Sequence, residues 1–152
     1  MEIPYIISII VFLPAVSGLL MMLIPGYKKK LFYKIALVIG LITFLLSVVV
    51  FVSYDIDAAG YQMIDQFEWL PALGINYYVA VDGISAPLVL LTGLVMFTGV
   101  IISQRIDDRP REFFAFLFLL ATGVFGVFVS LDMFVLFFFY EIAVFPMYIF
   151  IA

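Results

Sequence analysis

The sequence predicts an all-α integral membrane protein: five transmembrane helices in one domain over residues 1–152, N-terminus outside, with a short β-hairpin in one outer loop. Three observations carry this reading. First, 67% of the 152 residues are hydrophobic and only 12% are charged. A soluble domain is about half apolar and a quarter charged, so the excess has to face lipid. Second, charge-free runs recur at residues 3–27, 35–54, 83–104 and 113–131, and again at 133–152 with a single carboxylate inside. Each reaches or approaches the roughly 20 residues that a helix needs to cross the hydrocarbon layer. Third, all seven basic residues fall in two segments that five alternating spans place on the same side.

The first run begins Met1-Glu2-Ile3-Pro4, without the basic leader of a secretory signal, and it outlasts a signal's apolar region. It reads as a first span that stays in the membrane. Lys28, Lys29, Lys30 and Lys34 follow it, and Arg105, Arg109 and Arg111 follow the third span. By the positive-inside rule these mark the inner side: cytoplasmic, or the matrix or stromal side in an organelle. Asp55, Asp57, Asp65, Glu68, Asp82 and Asp132 then lie outside.

The outer loop at 55–82 is too long for a simple turn. Residues 62–69 and Ile75–Val81 are rich in aromatic and β-branched side chains, separated by Pro71-Ala72-Leu73-Gly74. That pattern predicts a hairpin on the outer surface. The alternative is an irregular loop with Trp69, Tyr77 and Tyr78 as interfacial anchors. Asp82-Gly83 leads into the third span, with Asp82 as helix N-cap. Residues 105–112 mix both signs around Pro110 and read as a solvated loop touching anionic lipid. The last run meets no polar cap or charge before Ala152, which suggests the N-terminal part of something longer.

Composition excludes several chemistries. Zero cysteines and zero histidines remove disulfides, thiolate ligands and imidazole haem ligation. No Gly-rich nucleotide loop or HExxH-type metal motif occurs, so no cofactor or metal is expected on this chain. A net charge of −4 argues against a nucleic-acid partner.

One group carries potential chemistry. Glu141 lies nine residues beyond Asp132. At about 1.5 Å per residue that is roughly 13–14 Å into the membrane, near its midplane. A carboxylate there costs about 2.5–3.5 kcal/mol or more, so it needs a partner, a cavity or a proton. Phe137, Phe138, Val144 and Phe145, one turn away, form an apolar collar around it. Glu141 is therefore either one station of a proton relay or a protonated group bonded across a helix interface. Pro146 sharpens the case, since it cannot donate to the carbonyl of Ile142 and frees that oxygen beside the glutamate. Asp132 reads as the N-cap of the same helix. Ala121, Thr122, Gly123 and Gly126 form a small-residue patch suited to close helix contact. Tyr140 and Tyr148 read as ordinary aromatic packing. No lysine lies within any span, so the residues do not complete a proton channel.

The chain resembles the antiporter-like membrane subunits of respiratory complex I, the NADH-quinone oxidoreductase, in its chain M branch (chain four in mitochondria). The residues that carry the likeness are Gly74-Ile75-Asn76-Tyr77-Tyr78-Val79-Ala80-Val81-Asp82-Gly83-Ile84-Ser85, Arg109-Pro110-Arg111-Glu112-Phe113-Phe114-Ala115, Gly123-Val124-Phe125-Gly126-Val127-Phe128 and Tyr140-Glu141-Ile142-Ala143-Val144-Phe145-Pro146-Met147-Tyr148. The likeness covers about residues 65–152; the first two spans match in hydropathy only. Pro146-Met147-Tyr148 points to chain M, while Tyr140 stands where the family usually has tryptophan. The resemblance implies that Glu141 translocates protons opposite a lysine on a later helix. It also implies that NADH, FMN, iron–sulfur clusters and quinone bind other subunits, so this chain performs no redox chemistry. The implied partners are other membrane subunits and neighbouring antiporter-like chains, joined through the outer hairpin. Related alternatives are a cation/proton antiporter subunit of the Mrp type or a membrane-bound hydrogenase arm; a further alternative is a non-catalytic scaffold.

Overall fold

The computed structural model describes residues 3–152. Among them run five helices, α1 (Ile6–Met22), α2 (Lys29–Ser53), α3 (Ser85–Ile102), α4 (Pro110–Val129) and α5 (Met133–Ile151). Between α2 and α3 lies one antiparallel hairpin, β1 (Gln62–Leu70) and β2 (Ile75–Val81). The helices α2 to α5 are each long and apolar enough to cross a membrane. With 17 residues, α1 is shorter, and at about 1.5 Å per residue it spans roughly 25 Å, the lower end of what a spanning helix needs. Its apolar run continues past the helix, because Pro25-Gly26 ends helical structure without adding charge.

Charge-free runs also misplace two helix starts. Although α2 begins at Lys29, the charge-free run begins at residue 35: lysine stems are good helix material and carry their charges out to the interface. Likewise α4 begins at Pro110, ahead of residue 113, because proline suits the first helical position, where its missing N–H is not needed.

The bundle is organised around α4, which packs chiefly against α1 and α5 and also meets α3 and α2; α2 in turn packs on α3 and α1. Phe32, Phe114, Phe118, Phe125 and Phe139 are fully buried in this core. By contrast, α5 packs mainly on α4, with a smaller contact to β2.

The hairpin closes one end of the bundle. Its register pairs Gln62 with Val81 and Leu70 with Ile75, with irregularities between Gln62 and Asp65 and between Glu68 and Leu70. Pro71–Leu73 makes a single 3-10 turn, and Gly74 exits it at φ +68°, a left-handed conformation that glycine adopts without steric cost. The hairpin is stitched to the helices beneath. Leu131 N–H donates to the Tyr78 carbonyl at 2.9 Å, and Val79 pairs with Ser130.

Candidate functional site: the outward face of α5

The seam between α4 and α5 fixes which way α5 faces. Val135, Phe139, Ala143 and Pro146 are buried, and they recur at the spacing of one helix stripe. Opposite them on α4 sit the two glycines of the small-residue patch. A Cβ at Gly123 would lie 2.7 Å from the Ala143 Cβ, and one at Gly126 would fall against the Phe139 ring. The two helices thus approach as closely as their backbones allow. Pro146 is buried on the same stripe, and α5 runs unbroken through it from Met133 to Ile151.

Glu141 stands two residues from both Phe139 and Ala143, which at about 100° per residue turns it roughly opposite the seam. It is exposed on the chain's surface, together with Phe137, Phe138, Val144, Phe145 and Tyr148. The expected apolar collar therefore exists, but as an outward face rather than an enclosure. The rest of the described chain does not wall it off, because the glycine seam commits the other side of α5 to α4. Among the described residues no ion pair forms except Arg111–Glu112 at 2.7 Å, and no hydrogen-bond partner reaches the Glu141 carboxyl.

Two carboxylates close helix first turns at the hairpin end of the bundle, one of them on α5. Asp132 caps α5: its Oδ1 accepts from the N–H groups of Phe134 (2.9 Å) and Val135 (3.3 Å), satisfying first-turn donors that have no helical partner. Its Oδ2 accepts from Asn76 N–H at 3.4 Å, linking the cap to β2. Asp82 closes the first turn of α3 in a reciprocal arrangement. Its Oδ1 accepts from Ser85 N–H (2.7 Å) and Ile84 N–H (3.0 Å), while Ser85 Oγ accepts from Asp82 N–H at 2.8 Å. The backbone bond from Ser85, followed by the other donors to the ionised form, holds the Asp82 carboxyl below its ordinary value.

Two further contributors escape a sequence reading. Asp65 is buried in β1 and accepts from both the N–H (3.0 Å) and the Oγ–H (2.6 Å) of Ser8. The first turn of α1 carries no cap of its own, and the hairpin supplies one from 57 residues away. Tyr77 OH lies 3.1 Å from the same Ser8 oxygen. Burial, opposed by the Ser8 bond and reinforced by the Asp65 charge, pushes the Tyr77 phenol up from its ordinary value. The other contributor is Trp69, whose ring meets Phe134 and Phe138 edge-on at 6.0 and 5.5 Å and covers the Asp132 end of the Glu141 face. Asp65 reads in sequence as one outer acid among six, and Trp69 as an anchor to lipid. Nothing local marks what either one touches.

No protein-family model matches the chain. Known proteins do. The chain is 40% identical over 152 residues to the NAD(P)H-quinone oxidoreductase chain 4 3 of a Picosynechococcus strain, covering 99% of this chain and 28% of the relative. It is 39% identical over 141 residues to chain 4-2 of a Synechocystis strain, covering 92% of this chain and 25% of that one. The chain thus spans about a quarter of the length of the curated relatives it matches. Among solved structures, a chain of respiratory complex I from Thermus thermophilus with bound NADH superposes with a TM-score of 0.77 at 26% identity, over 92% of this chain and 27% of that one. Hydropathy, bundle and kinship agree that this is an integral membrane protein whose homologues, over nearly its whole length, are the antiporter-like chain 4 subunits of NAD(P)H-quinone oxidoreductase.

Proposed function

We propose that the chain forms part of a proton-translocating membrane subunit of an NAD(P)H- or NADH-quinone oxidoreductase, and that Glu141 takes up and releases a proton within it. The observation that carries the reading is the placement of Glu141. It sits about nine residues below the Asp132 cap, roughly 13–14 Å along α5, on the one face of that helix that the bundle leaves free. A carboxyl at such depth is costly unless it meets a partner, a cavity or a proton. Turning it away from the glycine seam leaves it free to meet a group from elsewhere in a larger assembly. The names of the homologues favour quinone-linked electron transfer over a free-standing antiporter or a hydrogenase arm.

In this reading nicotinamide, FMN, iron–sulfur clusters and quinone are held by other subunits, and neighbouring antiporter-like chains flank this one. The host membrane is a bacterial or archaeal cytoplasmic membrane or the mitochondrial inner membrane. Redox energy reaches Glu141 through conformational or electrostatic change, and its proton moves toward a second titratable group outside residues 3–152.

The test is Glu141→Gln in the assembled complex, in sealed membrane vesicles. The rate of proton translocation through this subunit should fall at least about tenfold, a loss equivalent to roughly 1.4 kcal/mol or more at the barrier. Complex abundance should stay unchanged, since the side chain bonds to nothing in its own bundle. Undiminished pumping by the variant would falsify the assignment.

A further inference from the structure

We propose that the cleft between the first turns of α2 and the α3–α4 connection holds the phosphate headgroup of an anionic phospholipid in the inner leaflet. The cleft is ≈ 230 Å³, with Lys29, Lys30 and Lys34 on its rim and Tyr33, Pro110 and Phe114 among its lining residues. Lys29 Nζ donates to the Asp107 carbonyl at 2.7 Å, which pins the α3–α4 connection against α2 and gives the cleft its second wall. Asp107 also lines the cleft, yet neither its carboxylate nor that of Asp108 comes within ion-pair distance of a lysine.

The lysines break two local rules together. Cations are placed at a helix N-terminus, where the macrodipole favours anions, and α2 has no acidic residue in its first turn and no side-chain cap. Lys30 and Lys34 are one turn apart, a like-charge pair that destabilises an isolated helix. Across the whole inner rim, the seven basic residues face only Asp107, Asp108 and Glu112, and Glu112 is already paired with Arg111. An anion bound here would relieve both penalties.

A second observation selects a lipid over a free phosphate. Val38, Leu41 and Leu45 follow Lys34 at helical spacing, and all three are exposed. They form an apolar track leading from the cleft straight toward the bilayer centre. A headgroup on Lys30 and Lys34 would lay its acyl chain along that stripe, whereas inorganic phosphate makes no use of it. This inference does not depend on the role of Glu141.

The test is retention of lipid by the purified native complex, counted by native mass spectrometry after exchange into phosphatidylglycerol or phosphatidylcholine. Phosphatidylglycerol should be retained and phosphatidylcholine should not. The double variant K30Q/K34Q should weaken retention about 25-fold, taking about a factor of five for each lysine near an anionic headgroup. Lys28→Gln, outside the cleft, should change it little. Glu141→Gln should leave it intact. Equal retention of the two lipids, displacement of phosphatidylglycerol by excess inorganic phosphate, unaltered retention in K30Q/K34Q, or an equal loss in the Lys28 variant would each overturn the proposal.

Discussion

Two neighbouring helices, α4 and α5, are of nearly equal length, 20 and 19 residues, and both pass as membrane spans. Yet half of the most apolar window of α4 is buried inside the bundle, against 22% for α5. In water such a contrast would mark α5 as a misplaced or unfinished element. In lipid it carries no penalty, because hydrocarbon tails are as apolar as a leucine, and burial against protein is earned by packing rather than by escape from water. What distinguishes the two helices is fit. On α4, Gly123 and Gly126 admit the α5 backbone and the Phe139 ring. On α5, one stripe answers that invitation and the other carries Glu141.

The largest stability effect should come from closing the gap that makes the seam. In Gly123→Val a new Cβ would lie 2.7 Å from the Ala143 Cβ and 2.8 Å from its Cα. These are largely backbone positions that cannot swing away, so the helices must separate. Overpacking of this kind costs about 1–3 kcal/mol or more, and the thermal midpoint of the detergent-solubilised protein should drop by several degrees. The control lies across the same helix. Val144→Ala, on the outward face, should stay within about 0.5 kcal/mol of the parent. An equal loss from Val144→Ala would show that the two faces of α5 are not different in kind.

Next in size is the tie between hairpin and bundle. Asp65→Ala removes the acceptor of the Ser8 N–H and Oγ–H, and losing both bonds at this part-buried site should cost about 1–2 kcal/mol. Hydrogen exchange should accelerate at the start of α1 and along β1 together. Acceleration confined to β1 would mean that the hairpin does not cap α1. Asp132→Ala should cost about 1 kcal/mol, the usual price of a lost N-cap, with exchange rising at Phe134 and Val135 and their neighbours. Asp132→Asn should restore most of the protection.

The smallest effect concerns acid. Because the folded Asp82 carboxyl lies below its ordinary value, the stabilisation it gives is complete above the unfolded pKa, about 3.9. It is lost as pH falls through the lower folded value, where the carboxylate that accepts from Ile84 and Ser85 is protonated. Exchange at those two amides, corrected for intrinsic rate, should therefore rise only in that acid window. Asp82→Asn should abolish the step while leaving the first turn of α3 protected at neutral pH. A step that persists in Asp82→Asn would assign it to another group.

Much of this architecture is legible along the chain because the bilayer imposes one-dimensional rules. Length, hydropathy and lysine–arginine asymmetry suffice to expect helices and orientation. Pro71 and Gly74 between two strand-like runs suggest the hairpin but leave an irregular loop with interfacial anchors open, and the strand pairing decides between them. Helix starts are less legible, since a charge-free run ends at Lys34 while a helix, whose backbone is indifferent to a snorkelling lysine, does not. The caps divide instructively. Asp82 and Asp132 serve donors two and three residues away and can be read in place, whereas Asp65 serves Ser8 across 57 residues and cannot.

Glu141 shows where that boundary falls. The sequence by itself determined how far along α5 the carboxylate sits, because axial distance follows from counting residues along an axis of fixed rise. Which way it points is a question of rotation about that axis, and α5 is apolar all round, so its own pattern selects no face. Only the tertiary structure decided it. Gly123 and Gly126 offer the closest approach on α4, Phe139 and Ala143 fill it, and the helix can present only one side to them. Glu141 is left on the other.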